Sequence, residues 1–282
     1  MSKIIRKPKL FIKIGNTKEF EISDKVSGAH FLTLKVGAPQ SLTNYRTQVG
    51  IDGSQQLGDF TFGPLPISAD FYLEATDHYD YRLACGGLYD AIFSRGLIRI
   101  RDDLEPGKCA LVYAKPFEQT KLNYAESTFT VEFEAPSGFR QSVVRSDDDP
   151  VNLRDDVQWG QSFPLDGEPP KYRFKSNAFS VYNPSSVAIE PLEKLHDLNV
   201  LLKVAGQPVL RNITNGSKVT ITKQLNSSQT LLLQGPKAFV DSVPIGSKCT
   251  GDVWLSKGIN EFEVTGCTLI NSIIFSFPFL YH

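Results

Sequence analysis

The sequence predicts a mainly β protein of two domains: an N-terminal β-sandwich carrying one packed α-helix, then a C-terminal antiparallel β-sandwich. Three observations lead there. Short segments alternate apolar and polar residues along most of the chain. Turn signals separate them at roughly ten-residue spacing. Only one segment of the first half has a helical period.

In the first half, Leu10-Phe-Ile-Lys-Ile14 and Glu19-Phe-Glu-Ile22 read as strands joined at Gly15-Asn-Thr-Lys. His30 to Val36, Phe60 to Phe62 and Ala69 to Glu74 continue the pattern. Thr128-Phe-Thr-Val-Glu-Phe-Glu134 alternates most cleanly, with Phe129, Val131 and Phe133 on one face. Val49-Gly-Ile-Asp-Gly-Ser54 reads as a Gly/Asp turn rather than a cation loop. From Tyr79 to Ser94 the period becomes helical, with Asp77 as N-cap and Leu83, Leu88, Ile92 and Phe93 on the inward face. Gly86 and Gly87 each cost such a helix about 1 kcal/mol relative to Ala, which predicts close backbone packing on a sheet. Gly96 is expected to end it.

Between Gly138 and Arg173 the alternation stops: Ser146-Asp-Asp-Asp-Pro150, Pro164, Asp166-Gly167 and Pro169-Pro170 read as a connector. The expected division is residues 1–145, a linker over 146–175, and a second domain over 176–282. In that domain Ala178–Tyr182, Val187–Glu190, Leu198–Val204, Val219–Thr222, Thr230–Leu233, Asp252–Leu255, Asn260–Val264 and Ile273–Phe277 read as strands. Gly206, Asn215-Gly216, Gly235-Pro236, Gly246, Gly258 and Gly266 read as the turns between them.

Composition narrows the function classes. A hydrophobic fraction of 41% with 22% charged residues fits an ordered globular chain. A net charge of -1 gives no global field for gripping nucleic acid or an anionic membrane. The opening Met1-Ser-Lys-Ile-Ile-Arg-Lys-Pro has no apolar run after its basic residues, so a signal peptide is not expected, and the chain is expected to be made in a cytoplasm. Cys85, Cys109, Cys249 and Cys267 lack metal or redox spacing and read as small core residues.

No catalytic, cofactor or metal site is expected. His30, His78, His196 and His282 have no partner at ligand spacing, and no nucleophile elbow or phosphate loop is present. Two tryptophans remain as contact candidates. Trp159 stands in the polar connector, suited to a protein or a sugar, and Trp254 lies between Val253 and Leu255, where core and ligand roles are both open. The residues alone therefore leave two readings: a structural interaction protein, or a carbohydrate-binding β-sandwich module of an adhesion protein or glycan hydrolase.

The order of motifs favours the first. Val49 to Ser54, the Ala69–Glu74 strand, the Tyr79–Ser94 helix, Glu105-Pro-Gly107 before a strand, and Thr128–Phe133 follow each other in the first half. Phe179-Ser-Val-Tyr-Asn-Pro184, Ala188-Ile-Glu-Pro191, the Leu231-to-Pro244 hairpin region, Leu255-Ser-Lys-Gly-Ile-Asn-Glu-Phe262 and a terminal Ile274-Phe-Ser-Phe…Tyr281 follow in the second. This series resembles the distal tail protein (Dit) family of long, non-contractile-tailed phages. The resemblance implies a non-enzymatic virion protein at the tail tip, forming a homohexameric ring through a belt-like N-terminal domain around a channel for DNA passage. It implies a galectin-like C-terminal domain on the outside. Implied partners are the tail tube protein, the tail-associated (hub) protein, the tape measure protein, and receptor-binding or baseplate proteins.

Overall fold

A computed structural model describes residues 7–148 and 170–282. The chain divides into two compact units, Met1–Arg140 with His282, and Gln141–Tyr281.

The first unit is built on β1 (Leu10–Ile14), β2 (Phe20–Glu21), α1 (Ile22–Lys25), β3 (Ala29–Val36), β4 (Ser41–Arg46), β5 (Gln55–Phe62), β6 (Leu65–Glu74), α2 (His78–Ile92), β7 (Ile98–Asp102), β8 (Lys108–Ala114), β9 (Thr120–Lys121) and β10 (Glu126–Ala135). Seven strands run in the order β2-β1-β7-β8-β10-β6-β3, with β9 on β10. The join between β8 and β10 is short, Phe133 opposite Ala114 and Glu134 opposite Tyr113. The long β6–β10 ladder, Leu65 opposite Ala135 to Glu74 opposite Glu126, carries strict alternation. Leu10, Ile12, Ile98, Ile100, Phe71 and Phe133 therefore meet α2 in one apolar core.

Two expected details change. The second strand stops at Glu21, because its carboxylate accepts from the Ser23 amide at 3.2 Å and caps the short α1. Strand β4 was not foreseen; it pairs with β5 through Ser41 opposite Phe62 to Arg46 opposite Gln55.

On the outer face of this unit, Glu19 reaches across β1 to Arg99 at 2.8 Å and Arg101 at 2.5 Å. Arg101 also lies 4.2 Å over the Phe11 ring. Burial opposes ionisation of Glu19, but the guanidinium groups of Arg101 and Arg99 outweigh it and hold its pKa below the usual carboxylate value.

The second unit contains β11 (Arg140–Arg145), β12 (Arg173–Phe174), β13 (Ala178–Asn183), β14 (Asn199–Asn212), β15 (Lys218–Ile221), β16 (Leu231–Gln234), β17 (Lys237–Val240), β18 (Val243–Pro244), β19 (Cys249–Asp252), β20 (Gly258–Ser276) and β21 (Pro278–Tyr281). Its centre is the β14–β20 ladder, strands of 14 and 19 residues. Residues 199–202 of β14 pair with β16 on one side, and residues 209–211 pair with β15. Between these halves the ladder slips in register, with Gly206 opposite Cys267. Gly206 and Gly266 sit there at φ +123° and +74°, and a Cβ on either would stand 2.3 or 2.1 Å from a backbone oxygen of the other strand. The ladder turns back on itself at this corner. Phe262 from one half then meets Phe275 from the other at 4.9 Å, with Phe179 stacked on Phe262 at 5.6 Å.

Gly206 and Gly266 are thus not turns between separate strands, as the sequence suggested, but a bulge inside two long ones. Val187–Glu190 is also not a strand; it contributes a single bridge, Ile189 to Leu255.

Gln141 to Arg145, expected in the first domain, lies in the second unit. Ser142 Oγ accepts from the Phe279 amide at 2.9 Å, and Ser146 Oγ donates to the Phe275 carbonyl at 2.7 Å. Of the expected linker 146–175, residues 149–169 lie outside the described residues. Tyr172 is core, its hydroxyl donating to the Tyr182 carbonyl at 2.9 Å.

Two outcomes test these points. Gly206→Ala should destabilise the protein by more than about 2 kcal/mol in urea unfolding, since both φ and the close carbonyl reject a Cβ. Glu19→Gln should cost about 1–2 kcal/mol at pH 7. The depressed Glu19 pKa gives stability that is full above the ordinary carboxylate range and lost as pH falls through it. The wild-type advantage over Glu19→Gln should therefore vanish in urea titrations at acid pH.

Candidate interaction surfaces

Most strands of the first unit bury one face. The β4–β5 hairpin does not. Every residue of β5 is exposed, as are five of the six in β4. Leu42, Tyr45, Leu57 and Phe60 are each about half exposed, and Val49 at the tip is fully so. Its only charged residues are Arg46, Asp52 and Asp59. A two-stranded ribbon without a covering layer is marginal in water, and long uncharged edges are ready to pair with another chain. The hairpin is anchored at its root. Phe62 packs edge-on against Phe139 at 5.4 Å and against His282 at 4.9 Å, and the Gly63 amide donates to the Gln40 carbonyl at 2.8 Å.

The second surface is the outer face of α2. Asp77 caps the helix as expected, accepting from the amides of Tyr79 and Asp80, both at 2.8 Å. Leu88 and Ile92 face the core, together with Tyr81, Ala84 and Ala91. Leu83 and Phe93, expected on that face, point outward: Leu83 is 77% exposed and Phe93 41%. The helix ends at Ile92, before Gly96, because its C-cap Phe93 turns to extended backbone at φ -91° and ψ 125° after its amide makes the last helical bond, to the Tyr89 carbonyl at 2.8 Å. The expected close packing at the two glycines is absent. A Cβ on Gly86 would meet nothing within 4 Å, and one on Gly87 only the methyls of Val26 at 3.8 Å. Beside this face Phe93 stacks on Phe117 at 6.1 Å, and Gln119 Oε1 accepts from Tyr81 Oη at 2.6 Å and Cys85 Sγ at 3.2 Å.

In the second unit, Trp254 is half-buried, on a segment fixed by buried asparagines. Its carbonyl accepts from Asn212 Nδ2 and Asn215 Nδ2, both at 2.9 Å. Asn260 Nδ2 donates to the carbonyls of Ser256 at 2.8 Å and Gly258 at 3.0 Å, while its Oδ1 accepts from the Ser256 amide at 2.8 Å and Asn212 Nδ2 at 2.9 Å. Asn183 Nδ2 adds the Val187 carbonyl at 3.2 Å. The Gly-x-Asn-x-Phe run at 258–262 is therefore structural: Asn260 fixes the loop and Phe262 enters the core. Trp159, the other candidate, lies outside the described residues.

Among the described residues no three His, Cys, Asp or Glu side chains gather as a metal site. All four cysteines are free thiols, Cys109 buried and the others half-buried. No described helix is long and apolar enough to cross a membrane.

Residues 15–135, nearly all of the first unit, match the phage tail protein RIFT-related domain family. Among solved structures, the chain is similar to Dit of phage SPP1, described as a paradigm of the hub adsorption apparatus of phages infecting Gram-positive hosts. The identity is 11% and the TM-score 0.66, over 96% of this chain and 99% of that one. At that identity the likeness is one of fold, and it runs the length of the chain. The baseplate of phage P2 in its activated conformation matches at 13% identity with Ca and 12% with Sr. Both give a TM-score of 0.45 over 95% of this chain and 97% of the other, which is too low to bear on the fold. No curated protein matches the sequence. The Dit resemblance read from motif order is thus borne out in the fold, which is Dit-like along the chain.

Sequence reasoning missed both exposed surfaces of the first unit. A usable signal lay in Ser41 to Phe62, where apolar residues recur with only three charges.

Asn260→Ala would remove the side-chain partners of the Ser256 amide and of the Ser256 and Gly258 carbonyls, and one of the two acceptors of Asn212 Nδ2. It should cost about 1–3 kcal/mol and lower Tm by several degrees in a thermal melt.

Proposed function

We propose that this chain is the distal hub subunit of a siphophage tail. Six copies form a ring that joins the tail tube above to the tail-associated protein below, around a channel through which DNA passes without specific binding. The supporting observation is the coincidence of a phage tail domain over residues 15–135 with a Dit-like fold over 96% of the chain.

The first unit carries the ring in this reading. A closed ring needs two different, mutually complementary surfaces on each subunit, and the β4–β5 hairpin and the α2 outer face are two such apolar surfaces. The second unit, galectin-like in this proposal, presents docking sites for receptor-binding or baseplate proteins. Trp254, and Trp159 in the connector, serve as contacts there, with protein or glycan. The protein performs no catalysis. It acts in the virion at the tail tip, after synthesis in the host cytoplasm.

Light scattering on the purified protein should give about six times the 31.4 kDa chain mass, and negative-stain images should show rings with a central hole. A protein that stays monomeric at every concentration and binds glycan tightly through Trp254 would instead favour the carbohydrate-module reading.

A further inference from the structure

One histidine of the second unit holds a loop shut through a nitrogen that must stay unprotonated. Residues 190–196 form a tight reversal between Ile189, bridged to Leu255, and the start of β14 at Asn199. Nδ1 of His196 accepts from the Glu190 amide at 3.1 Å. The Glu190 carbonyl in turn accepts from the amides of His196 at 3.2 Å and Lys194 at 3.3 Å. An amide can donate only to a bare ring nitrogen, so the closed loop requires Nδ1 without a proton.

The loop is closed against strain. Leu195 sits at φ +56°, a left-handed conformation that is costly for a residue with a bulky side chain. Its side chain recovers little of that by packing, since it is 77% exposed, and Leu192 is 48% exposed. Pro191 is buried. With Leu198, Val200 and Leu233 from one half of the folded ladder, and Val219 and Val253 from the other, it lines a cavity. The loop is a flap: Pro191 covers apolar lining while Leu192 and Leu195 stand outside.

The charged groups around the flap are Glu190, Glu193, Lys194 and Asp197 of the segment itself, Lys237 of β17 and Asp252 of β19 at the cavity, and Arg145 of β11, which holds Asp197. Burial lowers the His196 pKa from its ordinary value, and Lys194 lowers it further, against a hydrogen bond to the Ala188 backbone that raises it. Burial and the nearby Glu193 raise the Asp252 pKa. With the His196 pKa lowered, closure is complete above the ordinary histidine value of about 6.5 and is lost as pH falls below it.

We propose that His196 is a proton-operated latch on this flap: a proton on Nδ1 expels the Glu190 amide, lets Leu195 leave its strained backbone, and uncovers the apolar lining behind Pro191. The second unit then offers a partner a different apolar surface at acid pH than at neutral pH. The latch needs no ring around it.

Amide hydrogen exchange, resolved by residue on the intact protein, tests the latch. Between about pH 7.5 and about pH 5, protection of the Glu190 amide, corrected for its intrinsic rate, should fall about tenfold. That of the Val200 amide in β14 should stay constant. In His196→Asn, Oδ1 takes the place of Nδ1 as acceptor and does not titrate, so the Glu190 amide should stay protected at both pH values. If that variant does not fold, the wild-type protein still decides, because loss of Glu190 protection must follow the titration of the His196 ring resonances. Protection that ignores pH, that falls equally in a folded His196→Asn, or that falls at a different pH from the ring, would overturn the latch.

Discussion

The second unit depends on a corner where two long strands must pass within carbonyl distance of each other. Strands β14 and β20 are too long to belong to one flat layer, and each is apolar on one face along most of its length. Folding the pair back at Gly206 and Gly266 lets the two halves of one ladder cover each other. Phe262 and Phe275 then meet although both come from the same strand. Only residues without a Cβ fit that corner, since the opposite carbonyls stand where a methyl group would be. Beyond it, the bridge between Gly206 and Leu225 and the asparagine lattice around Asn260 hold the loops that the fold creates.

The first unit solves the same problem less completely. Its seven-strand sheet and α2 bury a full apolar core without help from β4, β5 or the outer side of the helix. What remains outside is apolar, extended and poorly charged. Such surface is a liability in a monomer and an asset in a subunit.

Much of this was legible in the sequence. The alternation of Phe129, Val131 and Phe133 fixed the face of β10 because a half-buried strand leaves no other arrangement. Asp77 was legible as a cap because its carboxylate has two amides within reach at that spacing. The glycines were misread for a physical reason. Local sequence cannot distinguish a glycine that ends a strand from one that bends it, since both need the same freedom of φ, and only the partner strand decides. Gly86 failed in the opposite direction, since no neighbour of the fold comes within 4 Å of a Cβ there. The inward face of α2 was half wrong because Leu83 looks like core by chemistry and is surface by position. Strand β4 was missed because apolar residues on a solvent-facing strand break the alternation that identifies strands.

The shared ladder has a mechanical consequence. In an ordinary sandwich the two layers are separate sheets, and pulling them apart breaks only side-chain packing. Here both layers are made from the same two strands, so a load that opens one layer from the other must first straighten β14 and β20 through their corner. Covalent backbone, rather than packing alone, carries the tension. The second unit is built like a strap folded over a pin.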